Sequence, residues 1–495
     1  MPKARLLLDW IALDGGGSLP LYRQLYFELR AAIVSARLPA GSLLPSSRTL
    51  SLELGVSRNT VLNAYNQLMA EGYIEASEGR ATAVAQMAPT SGCRATKPID
   101  DVDVGAATAP ALSKRGREML RCSRLSLHLP RAVAFMPGLP AFDAFPVKVW
   151  TRLLTAQAHR MQPDMAGYHF HIGGYGPLRE ALTSYLRSSR RVLCEPDQVF
   201  IVSSTSAGLD IICRLLCDPG SAVLMEDPGY NPAKNVMRAA GLNIVPVPLD
   251  AEGLRVDQAE RSDLTARLVY VTPSHQWPTG VSLSARRRQQ LLDWAERRSA
   301  WVIEDDYDSE FRFDGRPLPT LQGLGGGRQV IYLGTFSKVM FPSLRTAYLV
   351  VPRSLAPAFR EAVPYAGQEP PMHIQAALAE FIHQGHFFSH IRRMRRLYKR
   401  RQALFTDAMI RHLGDGIPIE RPAGGMQLSL VLPGECPATA VSLSAGAAGL
   451  YAKPFSISAL TNAVPNALHL GFAAVPERLI DPAAKTLASI ILATR

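Results

Sequence analysis

The sequence predicts an α/β protein, a mostly parallel sheet with helices on both faces, preceded by a small helix-turn-helix segment with a hairpin wing. Three observations carry this. From Phe135 onward, apolar β-rich runs at 198–202, 222–225, 266–271, 301–303, 330–334 and 347–351 alternate with amphipathic helical patterns. Such alternation marks strands joined by crossover helices. The first 84 residues instead show short helical patterns with caps. Between the two, residues 85–130 are poor in aromatics and hold Met-Ala-Pro-Thr-Ser-Gly and Gly-Ala-Ala-Thr-Ala-Pro stretches, the texture of a linker with one weak helix around 113–124. As a flexible coil it would reach roughly 35–40 Å. The expected organisation is 1–84, a linker at 85–130, and 131–495.

Composition sets the outer limits. Of 495 residues, 47% are hydrophobic and 19% charged, which excludes global disorder. No run of about 18 uncharged apolar residues occurs, so no membrane-spanning helix and no membrane partner is expected. The opening Met1-Pro-Lys-Ala-Arg before three leucines begins like an export signal, but Asp9 and Asp14 interrupt it. The six cysteines form no CxxC pair; Cys213 and Cys217 have helical spacing with no histidine beside them. Buried reduced thiols, no metal site and a cytoplasmic location are expected. The net charge is +12, yet residues 1–84 carry eight Lys/Arg against seven acids. The densest basic run, Arg392 to Arg396 continued by Lys399 to Arg401, reads as a solvated helix face.

In the first segment, Leu21, Leu25, Leu29 and Ile33 repeat every four residues after Pro20, giving one amphipathic helix. Ser46 or Ser47 can cap a short helix through Leu54, with Gly55 as its left-handed stop. Ser57 caps a third helix from Arg58 to about Glu71, ended by Gly72. Two short helices about a Gly-Val turn form a helix-turn-helix, whose second helix enters a major groove. Its first turn, Ser57-Arg58-Asn59-Thr60, offers a guanidinium, an amide and hydroxyls suited to phosphates and base edges. Residues 73–76 and 81–84 can pair as a wing. Pattern alone also allows a protein-interaction module.

The spelling Leu44-Pro-Ser-Ser-Arg48-Thr-Leu through Gly55-Val-Ser-Arg-Asn-Thr-Val resembles the winged helix of GntR-type bacterial regulators. The resemblance implies double-stranded DNA as partner, faced by Arg48, Ser57, Arg58, Asn59 and Thr60. The wing departs from the family: its Gly-x-Gly-Thr-Phe-Val stands here as Gly79-Arg80-Ala81-Thr82-Ala83-Val84, with Glu78 near the tip.

In the second segment Lys338 follows a strand and small hydroxyl residues, where desolvation can ready an amine for a Schiff base. Glu304-Asp305-Asp306-Tyr307 ends another strand, at the edge where α/β sheets bind ligands. A pyridoxal ring needs one such carboxylate at its nitrogen. Ser203-Ser204-Thr205 ends a strand and opens a helix, offering hydroxyls and N–H groups to a phosphate. Arg345 can pair with that phosphate, and Tyr230, after Glu226-Asp-Pro-Gly, can stack on the ring.

These residues, with Phe135-Met-Pro-Gly-Leu-Pro, Gly173-Gly-Tyr-Gly-Pro-Leu-Arg, Thr272-Pro-Ser-His-Gln-Trp-Pro-Thr-Gly and His390-Ile-Arg-Arg-Met-Arg-Arg, resemble the fold-type-I aminotransferase-like domain of MocR/GabR-type regulators from about Phe135 to the C-terminus. The resemblance implies pyridoxal 5′-phosphate (PLP) as cofactor, carried on Lys338. Asp305 pairs with the ring nitrogen, with Asp306 as the alternative; Tyr307 bonds the ring hydroxyl and Tyr230 stacks on the ring. Arg345, Ser204 and Thr205 hold the phosphate, and Tyr168 reaches it across a homodimer interface. His275 and Gln276 read as loop-fixing groups, and Asp308, Glu310 and Arg312 as a surface or interface ion-pair network.

Three departures stand out. The phosphate loop Ser-Gly-x-Gln-Gln-Ala-Leu appears as Ser203 to Leu209 without its first glycine or either glutamine; Gln427 replaces a histidine; and His469 stands where transaminases place a carboxylate-binding arginine. The function expected is a PLP-dependent DNA-binding transcriptional regulator sensing an amine, an amino acid or PLP itself, rather than an enzyme. The alternatives are a working aminotransferase with a DNA-binding appendage and a DNA-binding protein whose fold has lost the cofactor.

Overall fold

A computed structural model describes residues 10–16, 19–75, 81–86, 112–113, 115–118, 134–160, 163, 167, 172–260, 265–315, 319–461 and 463–494. The chain divides into two compact units, Met1–Ala109 and Pro110–Arg495. The stretch read as a linker falls largely outside the described residues; of the weak helix expected within it, residues 115–118 are helical.

The first unit has three helices, α1 (Leu21–Val34), α2 (Ser47–Leu54) and α3 (Arg58–Ala70), and a hairpin of β1 (Ile74–Glu75) and β2 (Ala83–Val84). Local chemistry sets each boundary. Ser46, not Ser47, caps α2 by accepting from Thr49 N, and Gly55 closes it at φ +65°. Ser57 caps α3 by accepting from Thr60 N at 3.1 Å. Leu25, Leu29, Leu50, Val61, Ala64, Leu68, Ile74 and Val84 meet in one core, so burial of the four-residue stripe of α1 holds α3 against it.

The second unit is built on an eight-stranded sheet: β3 (Val199–Val202), β4 (Ala222–Asp227), β5 (Asn243–Asp250), β6 (Gly253–Leu254), β7 (Ala266–Val271), β8 (Trp301–Asp306), β9 (Val330–Thr335) and β10 (Ala347–Val350). Their order is β3-β10-β9-β8-β7-β4-β5-β6. Strands β5, β4, β7, β8 and β9 are mutually parallel, while β10 runs against both its neighbours. Successive residues feed opposite faces: Val223, Met225, Leu268, Tyr270 and Ile303 pack in one cluster, and Leu224, Val269, Val271 and Val302 in another. Covering both faces explains why these strands read as unbroken apolar runs.

A second sheet, of β11 (Gln427–Val431), β12 (Lys453–Pro454) and β13 (Ala467–Gly471), is antiparallel with β13 central. None of its strands is among the runs named from the sequence. The basic run lies on the helix His386–Leu413, but it is more than a solvated face. Arg401 is buried, pairing with Asp143 at 2.5 Å and with the Ala473 carbonyl at 2.6 Å. Arg395 reaches the Glu310 carbonyl, Lys399 reaches Asp314, and Arg393 donates to Ala144 O. The run fastens this helix to its neighbours.

Candidate functional site

The carboxyl ends of the parallel strands create the site in the larger unit. Register sets Asp306 of β8 beside Gly334 of β9, and Val271 of β7 beside Glu304 of β8. Lys338 leaves the end of β9, and its Nζ donates to the Gly138 carbonyl at 2.9 Å. Gly138 has φ +73°, and a Cβ there would sit 2.7 Å from Nζ and 3.6 Å from the tip of Trp277. Only glycine admits so close an approach. Burial lowers the Lys338 pKa, against the opposing charges of Asp308 and Asp305.

The two candidate aspartates separate. Strand alternation sends neighbouring side chains to opposite faces. Asp306 is paired with Arg190 at 2.5 Å and accepts from Tyr332 OH at 2.6 Å. Asp305 has no guanidinium. Its Oδ2 accepts from Tyr270 OH at 2.5 Å, and its Oδ1 is buried with no partner among the described residues. Burial pushes its carboxyl up to about 7 despite the Tyr270 bond, with Asp306 adding to the rise. A protonated ring nitrogen would satisfy Oδ1 and reverse that penalty.

Tyr307 is buried; its hydroxyl accepts from Gln427 Nε2 at 3.1 Å and lies 3.2 Å from His275 Nδ1. Tyr230 immediately precedes the helix Asn231–Ala239 and packs edge-on to Trp277, ring centroids 5.6 Å apart. Ser204 caps the helix Thr205–Leu216, its hydroxyl accepting from Ala207 N at 3.1 Å. The first N–H groups of a helix have no partner within it and draw anions. Val202 pairs with Ala347, and Ala347 with Thr335, so one sheet edge gathers Ser204, Thr205 and Arg345. Arg345 is exposed, has no side-chain partner among the described residues, and sits at φ +50°. A left-handed arginine costs about 1–2 kcal/mol, strain of the kind kept where a side chain must be aimed. Tyr168 lies outside the described residues.

Gln276 binds Glu226, the carbonyls of Pro228 and Trp277, and Thr279, which fixes its loop. His275 pairs with Asp308 at 2.9 Å. Burial disfavours its charge, but Asp308 outweighs burial and raises its pKa. The surface form of the surface or interface network expected of Asp308, Glu310 and Arg312 does not occur within the chain. Asp308 and Glu310 are buried, the first serving His275 and the second accepting from Tyr185 OH at 2.9 Å, and neither pairs with Arg312. Burial makes an unpaired carboxylate costly, and each of the two takes a donor close by.

Trp277 was not singled out in the sequence, although it stands inside the Thr272–Gly280 motif. It is central here, touching Tyr230, Tyr307 and His469 at centroid distances of 5.6, 5.8 and 4.4 Å. His469 is 1% exposed, and neither ring nitrogen has a hydrogen-bond partner among the described residues. Burial first, then the charge of Lys453, hold its pKa well below the usual imidazole value. A neutral ring therefore stands at the position likened to a carboxylate-binding arginine.

In the smaller unit, Arg48, Ser57, Arg58 and Asn59 are exposed and Thr60 is half-buried. Arg58 Nε donates to Ser47 Oγ at 3.3 Å, so its guanidinium lies beside the start of α2. The Ser57 and Thr60 hydroxyls pair with one another at 2.9 Å.

A family model for aminotransferase class I and II matches residues 142–487, and one for bacterial regulatory proteins of the gntR family matches residues 21–84. The chain is 44% identical over 418 residues to the probable rhizopine catabolism regulatory protein MocR of Rhizobium meliloti, covering 84% of this chain and 83% of that one. It is 33% identical over 399 residues to the HTH-type pyridoxine biosynthesis transcriptional regulator PdxR of Corynebacterium glutamicum, 81% of each chain. Among solved structures, the α-aminoadipate aminotransferase LysN of Thermus thermophilus is similar at TM-score 0.67 and 28% identity, over 77% of this chain and 95% of that one. The chain therefore belongs to the MocR-type HTH transcriptional regulators, a gntR-family helix-turn-helix fused to an aminotransferase class I and II domain.

Proposed function

We propose that this regulator holds pyridoxal 5′-phosphate on Lys338 and reads a small amine or amino acid there, altering its grip on double-stranded DNA. The observation that carries this is the unpartnered Oδ1 of Asp305, a buried carboxylate oxygen at the strand edge that also bears Lys338. The LysN structure, similar in fold, contains N-(5′-phosphopyridoxyl)-L-leucine, a cofactor joined to an amino acid. When bound, the cofactor supplies an aldehyde carbon that condenses with primary amines and a ring that accepts electrons.

The chain's own residues do the rest. Asp305 would hold the ring nitrogen protonated, and Tyr307 would bond the ring hydroxyl. Tyr230 and Trp277, packed edge-on, would wall the ring from water. Ser204, Thr205 and Arg345 would take the phosphate. Lys338, its pKa lowered by burial, has a larger uncharged fraction and is the better nucleophile. Lys338 Nζ donates to the Gly138 carbonyl when it carries nothing, so its release by an effector amine would couple effector occupancy to the segment at residues 136–140.

Sensing does not need turnover. Proton abstraction demands a substrate held in one orientation, and poor alignment costs orders of magnitude in rate; His469 is neutral and enclosed where an orienting cation would stand. The test is a titration of PLP-loaded protein with a panel of amines, following the visible cofactor band and operator affinity together. The expected result is an amine that shifts both with little keto product, and a Lys338→Ala variant in which neither responds. Borohydride should fix the cofactor to the peptide containing Lys338. Efficient multiple-turnover transamination would move the protein to the enzyme class.

A further inference from the structure

The small sheet carries a row of side chains that the scheme above leaves unused. Ser429 pairs with His469, and His469 with Lys453, so the three are cross-strand neighbours and leave the sheet on one side. That side faces the 276–280 loop. Ser429 Oγ donates to the Pro278 carbonyl at 2.9 Å, His469 packs edge-on to Trp277, and Lys453 Nζ lies 5.7 Å from the same indole's centroid. Two residues beyond His469, Gly471 passes so close to Met136 that a Cβ there would collide with the Met136 carbonyl. Met136 begins the segment whose Gly138 carbonyl receives Lys338. The tip of Trp277 approaches Gly138 as well. The row and the lysine thus border the same indole.

Lys453 is half-buried and has neither carboxylate nor hydrogen-bond partner among the described residues. Lys234, the other strongly shifted lysine on this side, differs: it donates to the Ser458 carbonyl and feels Asp227. Burial lowers the Lys453 pKa to about 8. His469 supplies no counter-charge, and Trp277 Nε1, like both His469 nitrogens, is buried without a hydrogen-bond partner among the described residues. One unmatched cation and unused N–H donors therefore surround one aromatic wall. Enclosing a cation is costly unless an anion meets it.

We propose that Lys453 is the anion-binding residue of the effector pocket, and that the effector is an amine bearing a carboxylate: its amine faces Lys338 and its carboxylate meets Lys453 across the Trp277 indole. This rests on the amine-sensing reading and narrows it to amino acids. Lys453 is a binding residue here, and His469 positions the indole edge-on.

The experiment uses the full PLP-loaded chain. L-Alanine, β-alanine and 4-aminobutyrate are each compared with the amine lacking the carboxylate, ethylamine or propylamine. Affinity is read by calorimetry and by the visible band, and the unfolding midpoint shows that each variant is folded. At least one carboxylated amine should bind the wild type tenfold or more tighter than its counterpart. Lys453→Met should collapse that ratio to within about twofold, and Lys453→Arg should keep most of it. A wild type with no such preference, or a Lys453→Met variant that retains it, overturns the proposal while leaving amine sensing intact. If no amine of either kind shifts the band, amine sensing itself fails, and the assignment of the effector falls with it.

Discussion

At the residue scale, Asp305 carries a penalty that a bound ring cation would remove. Its folded pKa of about 7 lies above the roughly 3.9 of an unfolded aspartate. The folded state therefore binds more protons in that window. The linked stability is complete below about pH 4 and is lost as pH rises through 7, a loss on the order of 4 kcal/mol. For cofactor-free protein, Asp305→Asn should lessen the fall in Tm between about pH 5 and about pH 8, the remainder coming from Glu226, Glu304 and Glu310, whose buried carboxyls are also raised to about 7, and should weaken PLP binding at least tenfold, since a neutral amide cannot match a ring cation. Equal pH slopes in variant and wild type would contradict this. Spacing alone leaves Asp305 as one of two neighbours, because it cannot tell which face of β8 looks toward Lys338 and which toward Arg190; the family resemblance is what puts Asp305 ahead of Asp306. Lys453 and Trp277 were not legible as site residues. Their roles depend on a small sheet whose strands β12 and β13 run two and five residues, too short to stand out as patterns.

At the scale of elements, the helix-turn-helix was readable nearly to the residue, because caps are local chemistry: Ser46, Gly55 and Ser57 act within three or four positions of themselves. The basic helix His386–Leu413 was misjudged for the opposite reason. Its cations find partners such as Asp143, Asp314 and Glu310 from distant parts of the chain. The DNA reading is tested on α2 and α3. Arg58→Ala should weaken operator binding by about 1–3 kcal/mol and relax sequence preference if its guanidinium reads a base edge. Arg48→Ala should weaken all sequences alike and reduce the salt slope by about one. Ser57→Ala should cost about 1 kcal/mol of stability through the lost cap. Fluorescence anisotropy at several salt concentrations separates the first two, and unchanged affinity in both would mean that the unit binds something other than DNA.

At the scale of the molecule, the resemblance implies a homodimer whose site is completed across the interface, and the surface near Lys338 supports this. The segment that supplies the Gly138 carbonyl runs on into Phe142, 55% exposed, and Val147, 46% exposed at the start of the helix Val147–His159. Phe142 stacks on Phe145 at 5.9 Å and meets Phe341 edge-on at 5.7 Å. Phe341 lies three residues past Lys338, so this aromatic group joins the outer surface to the loop of the cofactor lysine. Large apolar groups left in water gain roughly 1.5–3 kcal/mol each when covered, and a second copy of the chain would also bring a second helix-turn-helix to a two-fold operator. Light scattering should therefore give a dimer mass for the wild type. A Phe142→Glu, Val147→Glu double variant should shift toward monomer and lose PLP more readily on dialysis, because separation exposes the lysine loop to water. Circular dichroism distinguishes this from unfolding. A wild-type monomer that retains PLP through dialysis would show that the site is complete within one chain, and would assign the exposed aromatic surface to some other contact.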